Sequence, residues 1–182
     1  MDLCVVALGK IGLPVAVQAA SKGHRVRGAD ISSKVVGLVS AGVEPFPGEQ
    51  GLNERLIDVV SKGLLTATTD TTEAVSESEA VIIVPPLVVN EDGVPDFTAL
   101  DRATEAVALG LKPGTLVSYE TTLPVHATRQ RLAVRLSELS GLKLGEDLFV
   151  VHSPERVYTG RVFSDLRRYP KLVGGLDEKS TL

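Results

Sequence analysis

Tryptophan is absent, and only three Tyr and four Phe occur among 182 residues. So few aromatic rings weigh against a platform that stacks nucleic-acid bases. Excess positive charge is missing too. Lys and Arg number 19 against 23 Asp and Glu, for a net charge of −4. Nucleic acids and membrane surfaces call for clustered cations, so neither is expected as a partner. Cys4 is the single cysteine, which rules out an internal disulfide and fits a reducing, cytoplasmic setting. No apolar run approaches the ~20 residues of a membrane span. The first apolar run is short, follows Met-Asp and meets a glycine turn, unlike a signal peptide. Repeats and low-complexity segments are lacking, and no metal site is expected.

What remains is an ordinary globular composition, 43% hydrophobic and 23% charged. The length suits one domain, or one domain with a short extension. It suffices to bury about two-thirds of the unfolded surface without staples.

The chain is organised around Cys4-Val5-Val6-Ala7-Leu8-Gly9-Lys10-Ile11-Gly12-Leu13-Pro14. Residues 2–8 do not alternate, which predicts a strand buried on both faces. Gly9 makes the turn and Gly12 permits close approach of strand and helix. Residues 12–22 read as a helix, with Pro14 in its first turn and Gly23 closing it. A strand handing over to a helix through such a turn presents main-chain N–H groups to a phosphate. Ala7 stands where the usual motif has its first glycine. An ordinary βα turn, with glycines for tightness only, is the alternative.

A second strand over residues 24–29 ends at Asp30, at the spacing expected for an acid on the adenosine ribose. Such a carboxylate accepts from both ribose hydroxyls and repels a 2′-phosphate, which favours NAD over NADP. The alternative is that Asp30 or Ser32 caps a helix over residues 33–41.

Further along, helices are expected over residues 52–62, 71–77, 97–110 and 126–139. Strands are expected over 64–68, 81–84, 116–119, 148–151 and 171–173. Residues 43–51 and 90–96 read as loops. The helix at 97–110 has Asp96 or Thr98 as its entry. This βα alternation predicts an α/β Rossmann-like, doubly wound, mostly parallel sheet of six to eight strands. The domain spans 1–175, and 176–182 is a tail or the start of a linker. Polar clusters follow the first, second, fourth, fifth and sixth strands. Ligands of open parallel sheets sit outside the carboxyl ends of the strands, so these clusters point to one site.

Four stretches resemble the N-terminal domain of nucleotide-sugar dehydrogenases, which oxidise UDP-linked hexoses to uronic acids. They are Ala7-Leu8-Gly9-Lys10-Ile11-Gly12-Leu13-Pro14, and Val84-Pro85 with Asp92-Gly93-Val94-Pro95-Asp96. The others are Glu120-Thr121-Thr122-Leu123-Pro124, and Ser153-Pro154-Glu155-Arg156-Val157 with Gly160-Arg161 and Val173-Gly174-Gly175. The Pro-Glu-Arg-Val form is similar to the branch acting on UDP-N-acetylmannosamine or UDP-N-acetylglucosamine. Thr159 occupies the position of a further Glu in the UDP-glucose branch.

The resemblance implies oxidation of a primary alcohol to a carboxylate with two NAD, through an aldehyde and a cysteine thioester. It places Gly9, Lys10, Ile11, Gly12, Asp30, Val84, Pro85, Thr121, Thr122 and Glu155 at the cofactor. Thr122 would place a water or the reacting oxygen, and Glu155 would be a general base in thioester hydrolysis, helped if burial raises its pKa. Glu155, Arg156 and Val157 would meet the UDP-sugar. The plainer alternatives are that Thr122 caps the next helix and that Glu155 is a surface carboxylate paired with Arg156 or Arg161. Arg156 and Arg161 would contact the substrate or hold their loop. His126 and His152 lack partner clusters and read as structural or solvent-facing.

Family members are much longer, with a catalytic Lys, Asn and Cys in their second half. Cys4 lies in the first strand, where a small apolar side chain packs well, and is not that nucleophile. The chain alone is therefore expected to be inactive and monomeric, and the full-length enzyme a homodimer. Val35 stands where the family has a basic residue beyond the ribose acid, and Pro86 where it has a threonine. Two other readings stay open. A β-hydroxyacid dehydrogenase relative, binding NAD or NADP, would carry a glycine-rich loop where Glu120-Thr121-Thr122-Leu123-Pro124 stands. A non-catalytic NAD-binding module would need neither Thr122 nor Glu155.

Overall fold

The computed structural model describes residues 1–181. The chain begins with β1 (Asp2–Val6), α1 (Gly12–Ala20), β2 (Arg25–Ala29), α2 (Ser33–Ser40), α3 (Leu52–Ser61), β3 (Leu65–Thr68), α4 (Thr71–Ser76) and β4 (Ala80–Ile83). A small hairpin, β5 (Val88–Val89) and β6 (Pro95–Asp96), leads to α5 (Thr98–Ala108) and β7 (Thr115–Tyr119). A π-helical turn (Thr128–Leu132) opens α6 (Ala133–Ser140). Then come β8 (Leu148–His152), α7 (Val162–Arg168), β9 (Gly174–Gly175) and α8 (Glu178–Thr181).

Seven strands form one sheet in the order β3-β2-β1-β4-β7-β8-β9, all parallel except β9. This is the doubly wound α/β architecture expected, within the anticipated strand number. Cys4, Val6, Val81, Ile83, Val117 and Tyr119 join one apolar cluster with residues of α4, α5 and α6. Leu3 and Val5 join a second cluster with residues of α1, α2, α3 and α7. Burial on both faces explains why β1 and β4 are apolar without alternation. Cys4 is fully buried, and burial pushes its thiol up to about 12, as suits packing rather than nucleophilic attack.

Some local expectations hold and others change. β1 ends at Val6 because Ala7 adopts a left-handed φ of 76°. Ser32 caps α2, its Oγ accepting from the Val35 N–H at 3.3 Å. Asp96 receives the Thr98 N–H at 2.8 Å as α5 begins. The 90–96 loop carries strand β6, and α7 lies in a stretch for which the sequence predicts no element. The last strand is 174–175 rather than 171–173, and it runs antiparallel to β8. Beyond it α8 folds back on the sheet, where Ser180 Oγ accepts from the Val150 N–H at 3.4 Å. Asp177 holds that turn by accepting from the Ser180 N–H and hydroxyl, both at 2.9 Å.

The register sets the level of the site. Thr68, Ala29, Val6, Ile83, Tyr119, His152 and Gly174 are successive Cα partners across all seven strands. Every segment that follows a parallel strand therefore leaves the sheet at one height. That is why segments far apart in sequence meet.

Candidate functional site

The glycine turn is built from main chain. Ala7 donates its N–H to the Ala29 carbonyl at 2.8 Å, then turns through its left-handed conformation. Leu8 drops into the core and α1 starts at Gly12. A Cβ on Gly12 would lie 1.9 Å from the Ala7 carbonyl oxygen, so only glycine fits there. A Cβ on Gly9 would meet nothing within 4 Å. The first N–H groups of a helix have no acceptor within it, and α1 carries no acid in its first turn. The turn thus offers donors and a favourable field to an anion.

Asp30 braces this turn from β2. Its Oδ2 accepts from the Leu8 N–H at 2.8 Å and its Oδ1 from the Ser32 N–H at 2.9 Å. Each oxygen keeps a further lone pair for a hydroxyl. Asp30 sits beside the turn and does not line the cleft in front of it.

That cleft, of about 430 Å³, is walled by residues 9–12, 84–87 and 120–122 with Glu155 and Val157. Gly9, Lys10, Ile11, Gly12, Val84, Pro85, Thr121, Thr122, Glu155 and Val157, all singled out in the sequence, come together here. Thr121 fixes one wall to another, its hydroxyl donating to the Pro85 carbonyl at 2.6 Å. His152 lies 3.2 Å from the Thr121 carbonyl through Nε2, a structural contact as expected. Thr122 is exposed and caps nothing, since the next helical turn begins at Thr128.

Glu155 is not a surface carboxylate, and neither expected arginine pairs with it. Arg156 donates to the Pro170 carbonyl at 2.6 Å, and Arg161 pairs with buried Asp165 at 3.2 Å. Both hold their loop, and Arg156 stands outside the cleft. The cation at Glu155 is Lys171, whose ammonium contacts Glu155 Oε1 and lies 2.9 Å from Glu120 Oε2. The side chains of Glu120 and Glu155 are only 6% and 8% exposed. Burial raises the Glu120 pKa, opposed by Lys171 and by the Ser118 hydroxyl.

Sequence reasoning missed Lys171 and gave Glu120 no role. A lone cation opening the apolar run Leu172-Val173 was the available signal. Glu49 was passed over as well. Its carboxylate reaches from the 43–51 loop to the N–H groups of Gly160, at 2.7 Å, and Phe163, at 3.4 Å. It thereby closes the start of α7 and one wall of a side cavity of about 140 Å³ that also touches Gly9 and Lys10.

The whole chain, residues 1–182, matches the family described as UDP-glucose/GDP-mannose dehydrogenase family, NAD binding domain. The chain belongs to this family. It is similar to UDP-N-acetyl-D-mannosamine dehydrogenase of Pyrococcus horikoshii, 38% identical over 180 residues, covering 99% of this chain and 42% of that protein. It is also similar to an NDP-N-acetyl-D-galactosaminuronic acid dehydrogenase of Ralstonia solanacearum, 37% identical over 184 residues, covering 96% and 41%. The solved structure of the P. horikoshii UDP-D-ManNAc dehydrogenase superposes with a TM-score of 0.93, over 99% of this chain and 42% of that one. The chain thus spans about two-fifths of the length of these relatives. Its cofactor class is NAD, and the glycine turn, the vacant lone pairs of Asp30 and the cleft suit a dinucleotide. No helix among the described residues is long and apolar enough to cross a membrane.

Proposed function

We propose that this chain is the cofactor-holding part of a nucleotide-sugar 6-dehydrogenase acting on a UDP-N-acetylhexosamine. The observation that carries the reading is the single cleft where the glycine turn, residues 84–87, Thr121, Thr122 and Glu155 meet. Bound there, NAD supplies a hydride acceptor.

Each residue has a part in that reading. The N–H groups of residues 9–12 and the Lys10 ammonium take the pyrophosphate. Asp30 takes the adenosine ribose hydroxyls and disfavours a 2′-phosphate. Val84, Pro85 and Thr121 form the wall along the reacting end. Thr122, with a free hydroxyl at the mouth, orients a water or the sugar's C6 oxygen. Glu155 receives a proton from the water that hydrolyses an acyl intermediate formed outside this chain. Val157 lines the substrate side, and Arg156 supports the loop that carries both. A nucleophile is not among these groups, so the chain alone binds cofactor without turning over sugar. We further place this chemistry in the cytoplasm and in a homodimeric full-length protein.

Calorimetry on this chain tests the cofactor assignment. NAD is expected to bind at least about tenfold tighter than NADP, a difference of about 1.4 kcal/mol. Asp30→Asn narrows that gap. A preference for NADP would remove the role of Asp30. Oxidation of UDP-N-acetylmannosamine by this chain alone would show that the nucleophile has been misplaced.

A further inference from the structure

We propose that Lys171 is a positioning residue of this site, bridging Glu155 to Glu120 so that the Glu155 carboxylate is held beside a cation and turned to the cleft. The inference deepens the reading of Glu155 as a base and rests on it.

Two carboxylates occupy one buried corner. Glu120 follows β7 and Glu155 follows β8, and the Glu155 N–H donates to the Glu120 carbonyl at 3.0 Å. Neighbouring carboxylates with little water repel each other and lose hydration, so a cation must sit between them for either to remain charged. Arg156 and Arg161 are engaged with Pro170 and Asp165. Lys171 is the cation that reaches both acids.

Its placement is built rather than incidental. Arg156 holds the Pro170 carbonyl on one side of Lys171, and the Ser153 hydroxyl donates to the Leu172 carbonyl at 2.8 Å on the other. The loop that carries Glu155 therefore also grips the segment that carries its partner. One ammonium faces two acids, and it opposes the rise that burial gives the Glu120 pKa. Glu120 and Glu155 line both the cleft and a second cavity of about 350 Å³, and Lys171 lines the second.

The test compares Lys171→Met, Lys171→Arg and Glu155→Gln in the full-length enzyme. Lys171→Met is expected to lower kcat about tenfold or more, with KM for the UDP-sugar and Kd for NAD unchanged within about twofold. Lys171→Arg keeps a cation and restores most of kcat. A wild-type kcat in a folded Lys171→Met protein overturns the proposal. So does a loss matched by equally weakened NAD binding, which is the mark of a merely structural role. Should Lys171→Met fail to fold, Lys171→Arg decides: a folded Arg variant as slow as Glu155→Gln overturns the bridge, and a fast one upholds it. Glu155→Gln separates the two levels. If it turns over at the wild-type rate, the base assignment fails and takes Lys171 with it. If it is slow while Lys171→Met is fast, only the bridge fails.

Discussion

The two halves of the sheet furnish the cleft by different means. In the half formed by β3, β2 and β1, the site is main chain. There Ala7 bends left-handed, Gly12 lies against the Ala7 carbonyl, and Asp30 ties the turn to β2. In the half formed by β4, β7, β8 and β9, it is side-chain charge. There two buried acids from separate strand ends share one lysine from a third segment. Main-chain donors are fixed once the backbone is fixed, and they need no partner to remain polar. Buried charges hold their state only while every member of the group is present. The first half should therefore respond to steric change, the second to charge and pH.

The sharpest way to break this contrast is Gly12→Ala. A methyl 1.9 Å from a carbonyl oxygen forces strand and helix apart. A loss of about 3 kcal/mol is expected in urea denaturation, as for other overpacked sites, together with loss of NAD binding. Unchanged stability would show that the turn relaxes freely. Ala7→Gly acts in the opposite sense. A left-handed L-residue costs roughly 1 kcal/mol, part of which the added freedom of the unfolded chain takes back. A net gain of about 0.5 kcal/mol should raise the urea midpoint, and a lower midpoint would mean that the Ala7 methyl contributes packing. The smallest effect concerns Glu120. Its raised pKa means that the folded protein keeps a proton the unfolded chain releases above the ordinary carboxylate range. Stability should fall as pH rises through that window. Denaturation midpoints from about pH 4 to 8 should slope down in the wild type and flatten in Glu120→Gln. Equal slopes would place the titration elsewhere.

Legibility followed the same division. The glycine turn could be read because its geometry demands particular residues at fixed offsets. Apolar runs marked β1, β4 and β8 for the same kind of reason, since a strand buried on both faces leaves no polar position. The Glu155–Lys171 contact had no such signature. Arg156 and Arg161 are near Glu155 in sequence, yet their guanidinium groups turn to Pro170 and Asp165. Lys171 comes from the approach to β9, a two-residue strand whose antiparallel return no hydrophobic pattern announces. Glu49, more than a hundred positions from Gly160, is a similar case. Its partners are main-chain groups, which carry no residue code.

By itself, the sequence determined the parallel sheet, the cofactor turn and the stretches that surround the cleft. Those depend on local chemistry: glycine where a Cβ has no room, apolar runs where both faces are covered, and polar residues just past the strand ends. The tertiary structure alone decided which cation meets Glu155, that Asp30 braces the turn from beside the cleft, and that residues 178–181 fold back as α8. These are contacts between distant segments. They are set by the register of strands across the sheet and by the loops that register brings to one height.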